Sequence, residues 1–341
     1  MKRSTALLLV SLCLILLLVA SNCAQPAAMS EISIGTQPIG TALHTVGVAV
    51  AKVISEHSEL NAVVKPFAGT AAFSPMFERG EIHIGYAASA ETVWAYTGDP
   101  EFPVDAPYMR LVLTTNYAGP IMGLIVRKDS DIRTVADLRG KRVSADFNAS
   151  VMSKYIEEIY LRSGGLTWDD VVQVPVANIV EGWNAFNDRR VDATMGGSPT
   201  TPKVVEMNAA FGVRPLPLEE NPNWEEIRNE AKMSVAEPRM GKAGMGILTE
   251  DVRLMQHPFS IISSSYLDEE VVKEIVQILW ENYEELQPLS TWLASTNQDV
   301  MTDLNPGIPY HEGTVSWFKE KKLWTEELDA KQKQLLKLRG E

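Results

Sequence analysis

Short apolar runs of strand length alternate with helix-patterned runs through most of this chain, and that order admits few folds. Strands are predicted at residues 62–65, 82–86, 111–115, 123–126, 142–145, 171–176 and 192–196, with helices at 43–57, 73–79, 90–96, 151–162 and 180–187. Such alternation produces an α/β protein with largely parallel sheets. Open sheets of this kind hold ligands at the carboxyl ends of their strands, beside helix N-termini. The turns there are 35–41, 67–72, 87–89, 146–150 and 196–201, all rich in Gly, Ser, Thr, Ala or Asn. Residues this small let a ligand approach the backbone.

The alternation breaks once. Residues 110–117 and 120–126 read as two strands with no helix between them, and a second long extended run, 259–265, follows the loose glycine-containing stretch 241–246. Two such passages predict two crossings, acting as hinges between two lobes. One lobe then comes from both ends of the chain, 30–115 and 256–341, and the other from its middle, 116–255. Helices at 268–283, 287–296, 314–321 and 326–338 close the chain. The length itself suits two lobes and a core large enough to be stable without disulfides.

Met1-Lys2-Arg3 and the apolar run from Ala6 to Ala20 form a secretory leader, expected over residues 1–22. The run is short for a bilayer span, although an uncleaved anchor stays open. Two processing routes are also open. Cys23 is positioned as a lipid-accepting thiol after Ala20-Ser21-Asn22, and ordinary cleavage after Val19-Ala20-Ser21 competes with it. Cys13 leaves with the leader, so no disulfide within the mature chain is expected. The formal charge of −13 becomes −15 (29 basic against 44 acidic residues) once Lys2 and Arg3 are lost. A surface this acidic argues against nucleic acid and against electrostatic adhesion to anionic lipid. A lipid on Cys23 is then the one expected link to a membrane.

No catalytic or metal-binding constellation is legible. His44, His57, His83, His257 and His311 have no partners at metal-ligand spacing, and no nucleophile elbow, Walker loop or dinucleotide fingerprint occurs. Neither catalysis nor a cofactor is expected. The binding candidates come from the five turns: Thr36, Gln37, Gly40, Thr41 and His44; Gly69 and Thr70; Ser89; Asp146, Asn148 and Ser150; Gly197, Ser198 and Thr200. Their hydroxyls also suit helix capping. A cap and a ligand contact use the same helix end, whose unpaired N–H groups favour an anion. Lys65, Arg127 and Arg142 are the cations at predicted strand ends. Trp94, Trp183, Phe73 and Tyr155 lie at core-like helical spacing.

An ordered set of segments resembles the TAXI family, the extracytoplasmic solute receptors of TRAP transporters. Gly35-Thr36 with Gly40 and Gly47 is similar to that family's first loop and helix, and Phe77-Glu78-Arg79-Gly80-Glu81-Ile82-His83-Ile84-Gly85 to its entry into the third strand. Ala95-Tyr96-Thr97-Gly98, Val135 through Val143, Asp188 through Ala193 and Gly197-Ser198-Pro199 continue the match. The closing pair, Pro309-Tyr310-His311-Glu312-Gly313 and Trp317-Phe318-Lys319-Glu320-Lys321, is its most specific part. The resemblance implies a two-lobed, type II periplasmic-binding-protein-like α/β fold: two mixed or parallel sheets, flanking helices and a two-crossing hinge. It also implies a periplasmic receptor that closes on a small carboxylate or amino-acid-like solute and passes it to TRAP membrane subunits. Thr41 and Leu43-His44 depart from the family's first loop, Ala87-Ala88-Ser89-Ala90 lacks its polar residues, and Asp146 adds an acid to the middle loop. A less polar or zwitterionic solute therefore stays open beside the carboxylate. So do a sensor-kinase partner, an ABC-type binding protein of the nitrate, sulfonate or thiamine-precursor sort, and a hydrolase.

Overall fold

In β1 (Glu31–Thr36) every residue after Glu31 is buried, as a central strand covered by helices on both faces requires. It runs parallel to β2 (Asn61–Pro66) on one side and to β3 (Ile84–Ala88) on the other, with Ile34 opposite Val64 and Ile84. The helix α1 (Ala42–Glu56) links β1 to β2, its N-terminus capped by the Thr41 hydroxyl, which accepts from the His44 N–H. Leu43, Val46, Val50, Val53 and Ile54 form its buried face. They recur at three- and four-residue steps, the period that puts side chains on one face. Each such burial contributes about 1.5–3 kcal/mol. The helices α2 (Thr70–Glu78) and α3 (Ser89–Thr97) follow, and β4 (Met109–Tyr117) leads out of this part.

The structure is a computed structural model that describes residues 29–117 and 119–340. The expected leader at 1–22 and Cys23 lie outside the described residues. From Glu31 onward the chain forms one compact unit.

The middle of the chain builds a second sheet from β5 (Ile125–Arg127), β6 (Arg142–Asp146), β7 (Val172–Val176), β8 (Ala193–Thr194) and β9 (Val213–Pro215). The helices α4 (Val151–Ser163), α5 (Ile179–Asn187), α6 (Pro202–Phe211) and α7 (Trp224–Glu230) belong to the same stretch. A hairpin of β10 (Glu237–Gly241) and β11 (Val252–Gln256) comes before β12 (Pro258–Ser264), which returns to the first sheet. The chain closes through α8 (Glu269–Glu281), α9 (Glu312–Glu320) and α10 (Glu326–Leu338).

The strand orders, β2-β1-β3-β12-β4 and β7-β6-β8-β5-β9, follow one plan. Each sheet has a parallel trio and then an antiparallel strand, β12 or β5, before the last strand. In both cases that antiparallel strand is the first to follow a crossing. The two crossings are themselves bonded to each other: the Ile121 N–H donates to Met255 O at 2.7 Å, and the Met255 N–H donates to Ile121 O at 3.4 Å. The Met122 N–H donates to Gly197 O at 2.7 Å, which ties the first crossing to the turn after β8.

Three expectations about elements are corrected. Residues 287–296 are not a helix: a single 3-10 turn at Gln287–Leu289 gives way to turns, and the Ser290 hydroxyl takes the Trp292 N–H. Pro288 has no N–H to continue a helix. The loop expected at 241–246 shortens to 242–246, because Gly241 pairs with Val252 inside the β10–β11 hairpin. The strand expected at 192–196 shortens to Ala193–Thr194, after which Gly196 and Gly197 turn toward the first crossing.

Candidate functional site

A cavity lies where the N-terminal turn of α1 faces α4, α5 and the turn after β8. It offers about 40 Å³ to the centre of a water-sized sphere and about 470 Å³ of space between atoms, its mouth included. Both lobes line it. Leu43, Phe259 and Trp292 come from one, and Met152, Ile156, Ile179 and Trp183 from the other. Gln37, Thr41, Ser153, Ser198, Thr201 and His257 supply the polar side chains. No Lys, Arg, Asp or Glu lines it among the described residues.

An aromatic wall forms the first lobe's side. Phe259 stacks on Tyr86 with centroids 5.8 Å apart and planes at 18°, while His257 lies 4.5 Å and Trp292 4.9 Å from the Phe259 ring. Pairs at these distances contribute beyond the area they bury. The wall contains two unmatched polar atoms. His257 Nε2 and Trp292 Nε1 are buried and have no hydrogen-bond partner among the described residues. Trp183, on the opposite side, is satisfied: its Nε1–H donates to Met195 O at 2.8 Å. His257 Nδ1 stands 3.3 Å from Pro258 O. A carbonyl oxygen only accepts, so the proton sits on Nδ1 and Nε2 carries a bare lone pair. Burial pushes the His257 pKa down to about 4, which keeps the ring neutral.

The structure brings Gln37, Thr41, Gly197 and Ser198 together at this cavity. Four other expected ligand residues lie instead where the lobes meet. A Cβ on Gly69 would stand 1.5 Å from Ala149 O, so only glycine permits that approach. The Thr70 hydroxyl donates to Glu91 Oε2 at 2.6 Å, the Ser150 hydroxyl to Ala68 O at 3.0 Å, and Thr200 Oγ1 lies 2.7 Å from Thr291 Oγ1.

Of the remaining candidates, Thr36 and Ser89 bond within the first lobe. Thr36 Oγ1 contacts His44 Nδ1 at 3.2 Å, and Ser89 Oγ contacts Ser260 Oγ at 2.8 Å. Gly40 occupies a turn at φ +90°, a conformation that favours glycine. Asp146 and Asn148 are exposed. Between them Phe147 is fully buried at φ +48°, and that anchor turns the loop outward. The cations placed to meet a carboxylate are elsewhere as well. Lys65 donates to Glu81 O, Arg127 stacks on Phe211 with its guanidinium carbon 3.8 Å from the centroid, and Arg142 pairs with Asp192 at 2.7 Å.

The lobe contact has a buried acid at its centre. Glu91, on α3, is 1% exposed; besides the Thr70 hydroxyl it accepts the Met152 N–H, from the first turn of α4 in the other lobe, at 3.3 Å. Burial raises its pKa to about 7, and the two donors only partly oppose that rise. A second, wetter contact joins Lys232 to Asp99 at 2.8 Å and to Glu101 at 3.2 Å, with the Tyr155 hydroxyl donating to Glu101 at 2.6 Å. Trp94 and Tyr155 pack across the same seam at 4.8 Å. Partly exposed ion pairs are worth about 0.2–1 kcal/mol and weaken with salt. Lys232→Met is therefore expected to lower the melting temperature by no more than a few degrees in dilute buffer, and by less at 1 M NaCl. A loss that is large and independent of salt would contradict that reading.

Three solved structures match this one at 15% identity, among them an ancestral arginine-binding protein bound to arginine (TM-score 0.50, covering 77% of this chain and 98% of that one). The periplasmic aliphatic sulphonate-binding protein SsuA of Escherichia coli matches at 15% identity and TM-score 0.43, over 91% of this chain and 87% of that one. The alkanesulfonate-binding protein SsuA of Xanthomonas axonopodis pv. citri, bound to MOPS, matches at 15% and 0.45, over 89% and 96%. The two-lobed α/β fold with mixed sheets is that of the periplasmic binding proteins. The NMT1-like family matches residues 34–321. That span holds both crossings and every residue around the cavity, and the chain belongs to the NMT1-like family.

Proposed function

We propose that this protein is an extracytoplasmic solute-binding receptor that captures a small molecule between its lobes and delivers it to the membrane subunits of a transporter. One observation carries the reading: a cavity walled by both lobes, beside two crossings that hydrogen-bond to each other. A solute that contacts both lobes at such a site favours their closure around it. The leader read at 1–22 supports export, and no helix among the described residues is long and apolar enough to cross a membrane. Among the described residues no cluster of His, Cys, Asp or Glu is arranged to hold a metal. The reading invokes binding alone.

The membrane partner is proposed to be of the TRAP type, on the resemblance of 309–321 to the TAXI closing segment. An ABC-type partner is the second reading, since the two-lobed fold serves both. Proteoliposomes holding the receptor and its permease separate them: uptake is expected to follow an imposed ion gradient without ATP. The receptor role is tested more simply. Denaturing the purified mature protein and analysing the supernatant by mass spectrometry is expected to release one dominant small molecule in near-stoichiometric amount. Release of none, together with no stabilisation by any member of a broad metabolite screen, would remove the receptor reading.

A further inference from the structure

The cavity's chemistry selects against the charged solute that the sequence resemblance implies. An ionised carboxylate buried without a partner is costly enough to be excluded or neutralised. No Lys or Arg lines the walls among the described residues, and Lys65, Arg127 and Arg142 are all engaged elsewhere. The neutral His257 ring offers no positive charge, and its free Nε2 is a lone pair that repels carboxylate oxygens. Most of the wall is apolar or aromatic.

The same wall contains a mismatched pair of groups that a ligand can complete. His257 and Trp292 are 1% and 5% exposed and both pack on Phe259, yet His257 Nε2 and Trp292 Nε1 have no partner among the described residues. Buried polar atoms left unsatisfied cost about 1–3 kcal/mol each, so a native fold retains them where something else satisfies them. One is an acceptor and the other a donor.

We propose, building on the receptor reading above, that the solute is an uncharged molecule with an apolar body carrying a hydroxyl, which donates its hydrogen toward His257 Nε2 and accepts the Trp292 indole N–H. An apolar body suits Leu43, Ile156, Ile179 and Met152, and a flat one suits the Phe259 face. Sites built to bond a hydroxyl reject the analogue without it strongly, because their own buried groups are then left unpaired.

Three probes with one shared ring test this: benzyl alcohol, toluene and benzoate, each added to the mature protein freed of solute by reversible unfolding. Saturation-transfer NMR and titration calorimetry are expected to show benzyl alcohol binding at least about tenfold more tightly than toluene, the loss of one buried hydrogen bond. Benzoate is expected not to bind at pH 7.5. In His257→Phe and in Trp292→Phe, each checked for native melting behaviour, the preference for the alcohol over toluene is expected to fall, and with both replaced to disappear. Benzoate binding more tightly than the alcohol overturns the proposal, and so does an alcohol preference undiminished in the two single variants. The co-purified solute separates the two levels of the argument. A carboxylate or a cation released from the native protein overturns the uncharged class and leaves the receptor standing. A released alcohol or phenol supports both.

Discussion

Gly69→Ala is expected to weaken solute retention ten- to a hundredfold while leaving each lobe folded. The added methyl would fall 1.5 Å from Ala149 O and 2.6 Å from Ala149 C, both backbone atoms that cannot swing aside. The contact is relieved only if the turn before α2 moves away from the turn before α4. That motion also breaks the Ser150–Ala68 hydrogen bond and lengthens Met152 to Glu91. Overpacking of this kind costs about 1–3 kcal/mol, and 1.4 kcal/mol is a factor of ten in affinity. Because the strain exists only in the closed arrangement, it falls on the closing equilibrium and spares the stability of the separate lobes. Calorimetric titration with the co-purified solute measures the loss, and small-angle scattering should show that the solute no longer contracts the variant. An unchanged Kd would mean that the Gly69–Ala149 approach plays no part in closure.

The second large effect is a dependence on pH that Glu91→Gln should remove. Burial lifts the Glu91 pKa from 4.5 to about 7. A carboxyl whose pKa is raised on folding binds its proton more tightly in the folded state. Its contribution is full below pH 4.5 and is lost as pH rises toward 7. The difference corresponds to about 3 kcal/mol at 1.36 kcal/mol per unit. His257 acts in the opposite direction, its pKa pushed down to about 4 by burial, so its stabilisation is lost as pH falls from 6.5 toward 4. The wild-type profile therefore mixes opposed slopes. The difference between wild type and Glu91→Gln isolates one of them, since Glu157, whose pKa burial also raises, and His257 remain in both. Urea titrations at pH 4.5, 6, 7.5 and 9 should show the variant gaining on the wild type across the middle of that range, then holding its lead. Parallel curves at all four values would show that Glu91 does not titrate between the folded and unfolded states.

Much of the scaffold was legible because strands and helices advertise themselves through period and length. The run expected at 62–65 lies inside Asn61–Pro66, and the helix expected at 151–162 ends one residue later, at Ser163. The β10–β11 hairpin was not legible: Glu237-Pro238-Arg239-Met240 is largely exposed and contains a proline, so neither alternation nor an apolar run marks it. Its pairing with β11 alone makes it a strand.

The site divided in a more informative way. Small-residue turns at strand ends were read as ligand contacts, yet Gly69, Ser150 and Thr200 meet the opposite lobe, and Thr70 bonds Glu91, which does so through the Met152 N–H. Small side chains permit a close approach by a ligand and by a second backbone alike, and sequence does not distinguish the two. His257 and Trp292 were missed for a different reason. Neither lies at the end of a parallel strand, and Trp292 sits in a stretch whose helical pattern Pro288 interrupts. The histidine-proline pair at the second crossing was the available signal. It places a polar ring where the chain must run extended.

The insertion of β12 between β3 and β4 sets the order in which this protein can be completed. Residues 31–117 supply four of the five strands of the first sheet, but β4 has no neighbour in that sheet except β12. Until Pro258–Ser264 arrives, β4 presents two unpaired edges, the condition under which strands pair with the wrong chain. The middle sheet draws all its strands from residues 125–215 and waits for nothing downstream. A chain emerging amino end first would thus be able to finish its second lobe before its first. Its first lobe would depend throughout that interval on whatever keeps β4 from other partners.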